Sequence, residues 1–148
     1  LVVKDGAELN FEDTSSVDVD ITVTDSAGGE TTKTFTIDLT DVNEAPVAAD
    51  DTFQVQRNSQ ANNLNLTDND SDVDGNLKDG LGNVAASQIT ITTGSITTRN
   101  GTVNVITNGV NYVPKRNFRG TDTFNYTVTD LDGAVSNEVT VRVNVVRP

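Results

Sequence analysis

Two separate stretches of the chain concentrate oxygen-bearing side chains of the kind that bind hard metal ions. The first runs from Asp41 to Glu44, with Glu12 upstream of it, and the second runs from Asp68 to Gly75. In the second stretch carboxylates recur at every other position, at Asp70, Asp72 and Asp74. Calcium takes about six to eight oxygen ligands, and a glycine such as Gly75 lets a short loop turn sharply around the ion. This spacing predicts calcium ligands, and a solvated acidic connector with a charged, soluble loop is the alternative.

The second stretch does not continue as a helix-loop-helix calcium site. If Asp70 is counted as position 1, position 12 is Leu81, where such a loop needs a bidentate Glu. No helical pattern flanks the stretch either. Further ligands must therefore come from other parts of the chain, which the fold has to bring together.

The composition excludes most other site chemistry. The 148 residues include no Cys, His, Met or Trp, which rules out thiolate and imidazole metal sites, disulfides, and nucleophiles that depend on His or Cys. The chain has 22 acidic and 10 basic residues and a formal net charge of -12. It should repel phosphate backbones and anionic headgroups, so neither nucleic acid binding nor membrane insertion is expected. Without Trp or an aromatic cleft lining, glycoside hydrolysis is not expected either, and we predict no enzyme activity.

Apolar residues alternate with polar ones over short runs bounded by turn residues, which predicts an all-β protein. Near the N-terminus, strands are predicted at Val17–Val23 and Thr34–Thr40 around a turn at Ser26–Gly29. Beyond Pro46 seven further strands are predicted, at Thr52–Gln56, Ala61–Leu66, Gln88–Thr92, Thr102–Ile106, Val110–Val113, Asp122–Thr129 and Val135–Val145. Seven strands in about 100 residues suit an immunoglobulin-like sandwich. Tyr112 and Tyr126 fall on alternating strands and are predicted to be core residues.

We expect two antiparallel β-sandwich domains in series, residues 1–46 and residues 47–148. The first carries 11 acidic and 2 basic residues and is too short to bury a core of its own. It is predicted to be the C-terminal half of a truncated domain plus the linker. Its opening strands would precede Leu1, which stands where an initiator Met is expected, or would come from another chain. Strand exchange between two copies is one such route.

Strand direction predicts where the acidic stretches lie. If the first two strands of residues 47–148 pair antiparallel, the loop from Asp68 to Asp74 returns to the linker end. The last strand leaves that end, so Asp130, in the loop before it, lies there too. The hairpin of residues 1–46 places Glu12 beside the linker in the same way. Several acidic stretches are thus predicted to meet at one junction, where bound cations would remove their mutual repulsion.

These residues resemble a known family. Asp41-Val42-Asn43-Glu44-Ala45-Pro46 resembles the D-x-N-D-N-x-P calcium linker of cadherin repeats in its common bacterial form. Leu9-Asn10-Phe11-Glu12 resembles the L-D-x-E motif that precedes it, and Val23-Thr24-Asp25 resembles the A-x-D motif of the same repeat. The runs Asn69–Gly75 and Phe118–Asp130 are similar to the bacterial cadherin-like and immunoglobulin-like repeats of large secreted surface adhesins. The resemblance covers nearly the whole chain.

The resemblance also implies a set of calcium ligands. Carboxylates would come from Glu12, Asp41 and Glu44, an amide oxygen from Asn43, and backbone carbonyls from Val42 and Ala45. The second domain would add Asp130 and one D-x-D pair, either Asp70 with Asp72 or Asp72 with Asp74. Asn10 stands where the family has Asp, so about one or two ions are expected rather than a full cluster.

The resemblance implies a calcium-dependent structural repeat of an extracellular bacterial adhesin, involved in cell adhesion or biofilm formation. Calcium would stiffen the linker, and the partners would be neighbouring repeats, further copies of the chain or cell-surface polysaccharide. Two alternatives remain open. One is a module that itself binds a polysaccharide or a partner domain, and the other is an accessory domain of a secreted hydrolase.

Overall fold

A computed structural model describes residues 9–92 and 98–148. The chain divides into two compact units, Leu1–Val42 and Asn43–Pro148, and the division falls inside the predicted linker. Regular structure in the described residues consists of β-strands and one 3-10 turn at Ala86–Gln88. The predicted all-β fold class is confirmed. No helix in these two ranges is long and apolar enough to span a bilayer.

The first unit contains an antiparallel hairpin of β1 (Ser16–Thr24) and β2 (Glu30–Asp38). Its turn is fixed by Asp25, whose Oδ1 accepts the N–H groups of Ala27 and Gly29 at 2.8 Å each. β2 begins and ends earlier than the predicted Thr34–Thr40, because the tight turn pairs it with β1 from its first residue. Turn geometry, and not apolar alternation, therefore sets the bounds of β2.

The two faces of this hairpin differ in chemistry. On one face, Thr34 and Thr36 donate to the carboxylates of Asp20 and Asp18 at 2.6 and 2.7 Å. The other face is apolar, and much of it is open to solvent: Ile21, Val23 and Phe35 are 46%, 66% and 44% exposed. A two-stranded hairpin is at best marginally stable alone, because it buries too little apolar surface. The described part of this unit does not provide a second layer to cover that face.

The second unit contains two sheets. A four-stranded sheet has the order β3-β9-β8-β5, and a three-stranded sheet has the order β4-β7-β6. The strands are β3 (Asp51–Gln56), β4 (Asn62–Asn65), β5 (Ile89–Ile91), β6 (Gly101–Ile106), β7 (Gly109–Pro114), β8 (Gly120–Val128) and β9 (Val139–Val146). Each of the seven predicted strands is present, with bounds that differ by a few residues.

The predicted pairing of the first two strands of this unit is wrong. β3 pairs in parallel with β9, whereas β4 pairs antiparallel with β7 in the other sheet. The chain changes sheet just after β3, where Arg57 N–H donates to the Val146 carbonyl at 2.7 Å and Asn58 adopts a φ of 62°. The loop after β4 nevertheless returns to the start of the unit, because Val47 and Ser71 form an antiparallel bridge.

The last strand begins later than predicted, at Val139 and not at Val135. The Asn137 side chain takes the place of a strand neighbour for Ala48, since its Oδ1 accepts the Ala48 N–H and its Nδ2 donates to the Ala48 carbonyl, both at 3.0 Å. Ser136 Oγ likewise accepts the Val128 N–H at 3.0 Å. Side chains thus replace part of the backbone ladder at this end of the unit, where an isolated bridge still joins Thr129 and Val135.

Both sheets enclose one apolar core. Its largest fully buried side chains are Tyr112, Tyr126 and Phe124, packed with valines of β6 to β9. The prediction that both tyrosines are core residues is confirmed. Their hydroxyl groups are satisfied by buried acceptors: Tyr112 donates to Asp122 Oδ2 at 2.9 Å. Tyr126 lies 2.9 Å from the Leu66 carbonyl oxygen and 3.1 Å from Asp51 Oδ2.

Two carboxyl groups share the Tyr126 hydroxyl. Asp51 and Asp70 are only 7% and 6% exposed, and both oxygens of Asp70 lie 3.2 Å from the hydroxyl oxygen. Burial raises the pKa of Asp51 to about 7, and the neighbouring Asp70 adds to the increase. Burial likewise raises the pKa of Asp70. The Asp51 carboxyl group therefore keeps its proton up to the neutral pH range.

The buried Asp51 should make the second unit less stable as the pH rises. Its pKa is about 7 in the folded protein and about 3.9 when unfolded. The stabilisation from its bound proton is complete below about pH 4 and is lost as the pH rises through about 7. We expect the urea midpoint of the wild type to fall over this range, relative to that of Asp51→Asn, when both are measured with chelator present. Parallel pH profiles for the two proteins would contradict this assignment.

Gly109 should not tolerate a side chain. A Cβ at this position would overlap the Leu64 carbonyl oxygen, because the end of β4 lies directly against Gly109 of its neighbour β7. We expect Gly109→Ala to lower the free energy of unfolding by about 1–3 kcal/mol, measured by urea denaturation. Gly80→Ala is the matched control, since a Cβ there meets no atom within 4 Å. Equal stabilities of the two variants would refute this packing argument.

Candidate metal centre

A short backbone bridge holds the Asp-rich loop of the second unit against the residues that follow the linker. Val47 N–H donates to the Ser71 carbonyl at 2.8 Å, and Ser71 N–H donates to the Val47 carbonyl at 3.0 Å. Immediately beside this bridge, the Glu44 N–H donates to Asp74 Oδ2 at 2.8 Å. Carboxylate oxygens of Glu44 and Asp74 lie within 4.8 Å of each other. The register of the bridge therefore brings two acidic side chains together.

Asn43 connects this loop with the loop after β8. Its Nδ2 donates to Asp130 Oδ2 at 3.0 Å, and its Oδ1 accepts a short hydrogen bond from Asn76. Asn76 also donates to Asp132 Oδ2 at 2.7 Å. Asp130 in turn is fixed by its own loop, since its Oδ1 accepts the N–H groups of residues 132–134 at 2.6–3.0 Å. Three acidic or amide-rich segments thus share one end of the sandwich.

Three oxygen atoms in this region lack a hydrogen-bond donor although they are shielded from solvent. They are Asp72 Oδ2, Asp74 Oδ1 and Asn76 Oδ1. A buried acceptor without a donor is costly, and most such atoms in proteins are paired. A cation satisfies carboxylate and amide oxygens without supplying a proton. These carboxylate and amide oxygens therefore fit a hard, oxygen-binding ion such as calcium.

The electrostatics of the loop carboxyls differ from one residue to the next. Burial raises the pKa of the Asp72 carboxyl, and the adjacent Asp74 and Asp130 charges contribute to the increase. At Asp130 burial also acts to raise the pKa, but the hydrogen bonds from Asn43 and from the backbone outweigh it and leave the pKa below its usual value. Asp130 is thus held as an anion by its donors, whereas at Asp72 the backbone hydrogen bonds from Asp74 and Gly75 do not outweigh burial and the neighbouring charges.

The sequence left two D-x-D pairs open, and the structure places their members differently. Asp72 and Asp74 lie in the loop beside Asn43 and Glu44, and each carries one of the unpaired oxygens. Asp70 points into the core, where it accepts the Ala49 N–H at 3.0 Å and contacts Tyr126. Asp70 therefore has a structural environment that the loop carboxylates do not share.

The first unit has an acidic pair of its own. Carboxylate oxygens of Glu12 and Asp41 lie within 4.8 Å of each other, and both side chains are exposed. Asn10, which stands where the resembling motif has Asp, accepts the Glu12 N–H through its Oδ1 at 2.8 Å. The two residues predicted to offer only backbone carbonyls, Val42 and Ala45, are also exposed.

Sequence reasoning missed Asn76 at this site. Its side chain donates to Asn43 and Asp132, and its Oδ1 is one of the three unpaired acceptors. The signal was its position directly after Gly75, which continues the alternation of oxygen-bearing residues from Asp70 to Asp74 by one step. The sequence Asp132-Gly133 is typical of a tight turn, and the positive φ of Gly133 agrees with a turn there.

Asp130 should stabilise the fold even without metal. Asp130→Ala removes the acceptor of three backbone N–H groups, which are partly buried. We expect the free energy of unfolding to fall by about 1–3 kcal/mol in the presence of chelator, measured by urea denaturation. Asp132→Ala, which removes an exposed contact to Asn76, should cost less. If the two variants are equally stable, Asp130 does not organise its loop.

Three comparisons relate the chain to known proteins. The model of the family described as "Bacterial cadherin-like domain" matches residues 43–147. A search of curated proteins finds no significant match. Among solved structures the chain is similar to human mucin-like protocadherin EC1-2, with 18% identity and a TM-score of 0.49, over 97% of this chain and 74% of that one. It is also similar to the protocadherin gammaB7 EC3-6 cis-dimer structure, with 20% identity and a TM-score of 0.54, over 95% of this chain and 34% of that one.

A third similar structure is an endo-fucoidan hydrolase of glycoside hydrolase family 107, with 15% identity and a TM-score of 0.38, over 88% of this chain and 22% of that one. Identities this low indicate at most a shared fold. The family model instead covers most of the sequence, including the Asp-rich loop and the segment that ends at Asp130. Cadherin-like domains are generally structural or adhesive modules and not enzymes. The chain belongs to the bacterial cadherin-like domain family.

Proposed function

We propose that this protein is a calcium-binding structural repeat of a secreted bacterial surface adhesin. The observation that carries the proposal is the set of solvent-shielded oxygens without donors on Asp72, Asp74 and Asn76, next to Asn43 and Glu44. Unpaired acceptors of this kind favour a bound cation over a merely solvated acidic loop, because they are shielded from solvent and the described residues offer them no hydrogen-bond donor.

The proposed ligands come from both units. The first unit would supply the carboxylates of Glu12 and Asp41 and the carbonyl of Val42. The second would supply Asn43 Oδ1, the Glu44 carboxylate, the Ala45 carbonyl, the Asp72–Asp74 pair and Asp130. Asp70 would support the site from behind, because its carboxylate points into the core, where it contacts the Ala49 N–H and the Tyr126 hydroxyl. Among the two D-x-D pairs we therefore favour Asp72 with Asp74.

The proposed role of the ion is mechanical. An ion bound by residues on both sides of position 42 would restrain the linker in addition to the covalent backbone. Binding only the ordered linker, it would stabilise that state by mass action. Each bound calcium ion would also lower the repulsion among carboxylates that lie close together. Repeated along a longer chain, such joints would hold an extended arm away from the cell for adhesion or biofilm formation.

We further propose that the first unit is the C-terminal part of a preceding sandwich. Support comes from the apolar face of its hairpin, where Ile21, Val23 and Phe35 are largely exposed. In a complete sandwich a second sheet would cover such a face. The absence of Cys from the whole sequence is compatible with an extracellular protein that uses metal ions, and not disulfides, as crosslinks.

Calcium should bind this protein and raise its thermal stability. We expect calorimetric titration with calcium to show saturable binding, and the melting temperature to fall when chelator is added. Asp72→Asn and Asp74→Asn should each weaken binding by about tenfold or more, because each removes a charged ligand oxygen from the ion.

Asp68→Asn is the matched control for these variants. It makes the same charge change in the same loop, at a carboxylate that instead accepts a hydrogen bond from Asn65 at 2.8 Å. Its calcium affinity should stay close to that of the wild type. No heat of binding and an unchanged melting temperature with chelator would overturn the proposal. Equal losses in all three variants would show a general charge effect and not a defined site.

A further inference from the structure

The charges of the second unit are separated along its strands. β3 and β9 run parallel from the linker end, and β8 runs back against β9, so the strand ends define two opposite ends of this unit. Eleven of the 12 acidic residues in positions 43–148 lie at the linker end, and the remaining one is the buried Asp122. Six of the eight basic residues lie at the other end, namely Arg57, Arg99, Lys115, Arg116, Arg119 and Arg147. We call these six residues the basic end.

The side chains of the basic end lack ion-pair partners. In the described ranges the only salt bridge joins Arg142 to Asp50, near the opposite end. Five of the six residues are exposed, and the half-buried Arg57 has an Nε that is shielded from solvent without a hydrogen-bond partner. The five exposed side chains, four guanidinium groups and one ammonium group, are thus available to an anionic ligand.

The loops of the basic end are held together before any ligand binds. The turn after β3 and the turn after β7 each contain an asparagine with positive φ, Asn58 at 62° and Asn117 at 64°. Asn117 N–H donates to Asn58 Oδ1 at 2.7 Å, and Asn58 Nδ2 donates to Asn117 Oδ1 at 3.3 Å. Lys115 Nζ also donates to the Arg99 carbonyl at 2.6 Å. Such cross-links reduce the entropy that ligand binding would otherwise cost.

Two shallow depressions on this end combine arginines with neutral polar groups. One, of about 400 Å³, is lined by Arg119 together with Gln54, Thr121 and Asn144. The other, of about 360 Å³, is lined by Arg116 together with Asn58 and Gln60. Guanidinium groups form paired hydrogen bonds with carboxylates, and amide and hydroxyl side chains match sugar hydroxyls. The combination fits an acidic sugar chain better than it fits a plain polyanion.

We propose that the basic end binds a polysaccharide that carries uronic acid carboxylates. Arg116 and Arg119 contact the acid groups, and the neighbouring amides contact the ring hydroxyls. The opposite, acidic end keeps the anionic chain from spreading over the rest of the unit. This site is independent of the proposed calcium site, so either proposal can fail without the other.

The test is a binding measurement with alginate as the uronate polymer, in chelator so that calcium cannot bridge protein and ligand. Two further polymers separate the contributions: poly-L-glutamate has carboxylates without sugar hydroxyls, and dextran has sugar hydroxyls without charge. We expect saturable binding of alginate that weakens as salt is added, weaker binding of poly-L-glutamate and none of dextran.

The double variant Arg116→Ala/Arg119→Ala should bind alginate at least about tenfold more weakly. Lys78→Ala/Arg142→Ala is the matched control, because it removes the same charge from the same unit at residues outside the basic end and should leave the affinity unchanged. Arg116→Lys/Arg119→Lys, which retains the charge and the fold, should still bind more weakly than wild type if paired guanidinium contacts matter.

Three outcomes would overturn the proposal. One is absence of alginate binding by the wild type, and another is equal loss in the two charge-removing variants. The third is equal affinity for poly-L-glutamate, which would show a site for acidic protein segments or simple ion exchange. Sedimentation velocity without polymer completes the test: if the wild type self-associates, alginate does not bind, and the Arg116→Ala/Arg119→Ala variant is monomeric, the basic end contacts a second copy instead.

Discussion

Repulsion among carboxylates at the linker end is the constraint on which the arrangement of this protein depends. Two like unit charges about 4 Å apart repel by about 4 kcal/mol in the environment of a protein surface. The second unit nevertheless holds carboxylate oxygens of Glu44 and Asp74 within 4.8 Å and places Asp72 beside Asp74 without a donor for one of its oxygens. Backbone pairing between Val47 and Ser71 enforces this proximity. The fold thus imposes an electrostatic repulsion among carboxylates that a bound cation would remove.

The same end of the sandwich shows three ways to handle a carboxyl group away from water. Asp130 is kept ionised by N–H donors from its own loop and from Asn43. Asp51 and Asp70 share the Tyr126 hydroxyl, and burial favours their protonated forms. Asp72 has no hydrogen-bond donor for its shielded Oδ2. Residue type alone does not distinguish structural carboxyls from proposed ligands. The hydrogen-bond donors within reach of each carboxyl do distinguish them.

The distribution of charge gives the second unit two chemically distinct ends. Strand direction sends the acidic loops to one end and the basic turns to the other. The net charge of -12 conceals this division, because a sum over the chain carries no position. A chain that repels anions on average can therefore still present a local surface that attracts them. Both proposed sites are built on loops that a rigid pair of sheets positions, as is usual for binding residues.

The fold class, the strands and most of the candidate ligands could be predicted from the sequence. Period-two alternation around Tyr126 and along β9 identifies buried strands, since adjacent side chains in a strand face opposite ways. The oxygen-bearing residues from Asp70 to Asp74 also form a local pattern, because they recur at every second position. Local patterns do not specify which strands become neighbours, and so the parallel pairing of β3 with β9 was not foreseen.

The roles of individual side chains depend on the folded arrangement and could not be predicted from the sequence. The tertiary structure directed Asp70 to Tyr126 while leaving Asp72 and Asp74 in the loop, and it added Asn76 to the group around Asn43. It also gathered Arg57, Arg116 and Arg119 at one end from separate turns. The physical reason is that hydrogen bonding, burial and charge act over a few ångströms in space, whereas these residues are separated along the chain by many positions.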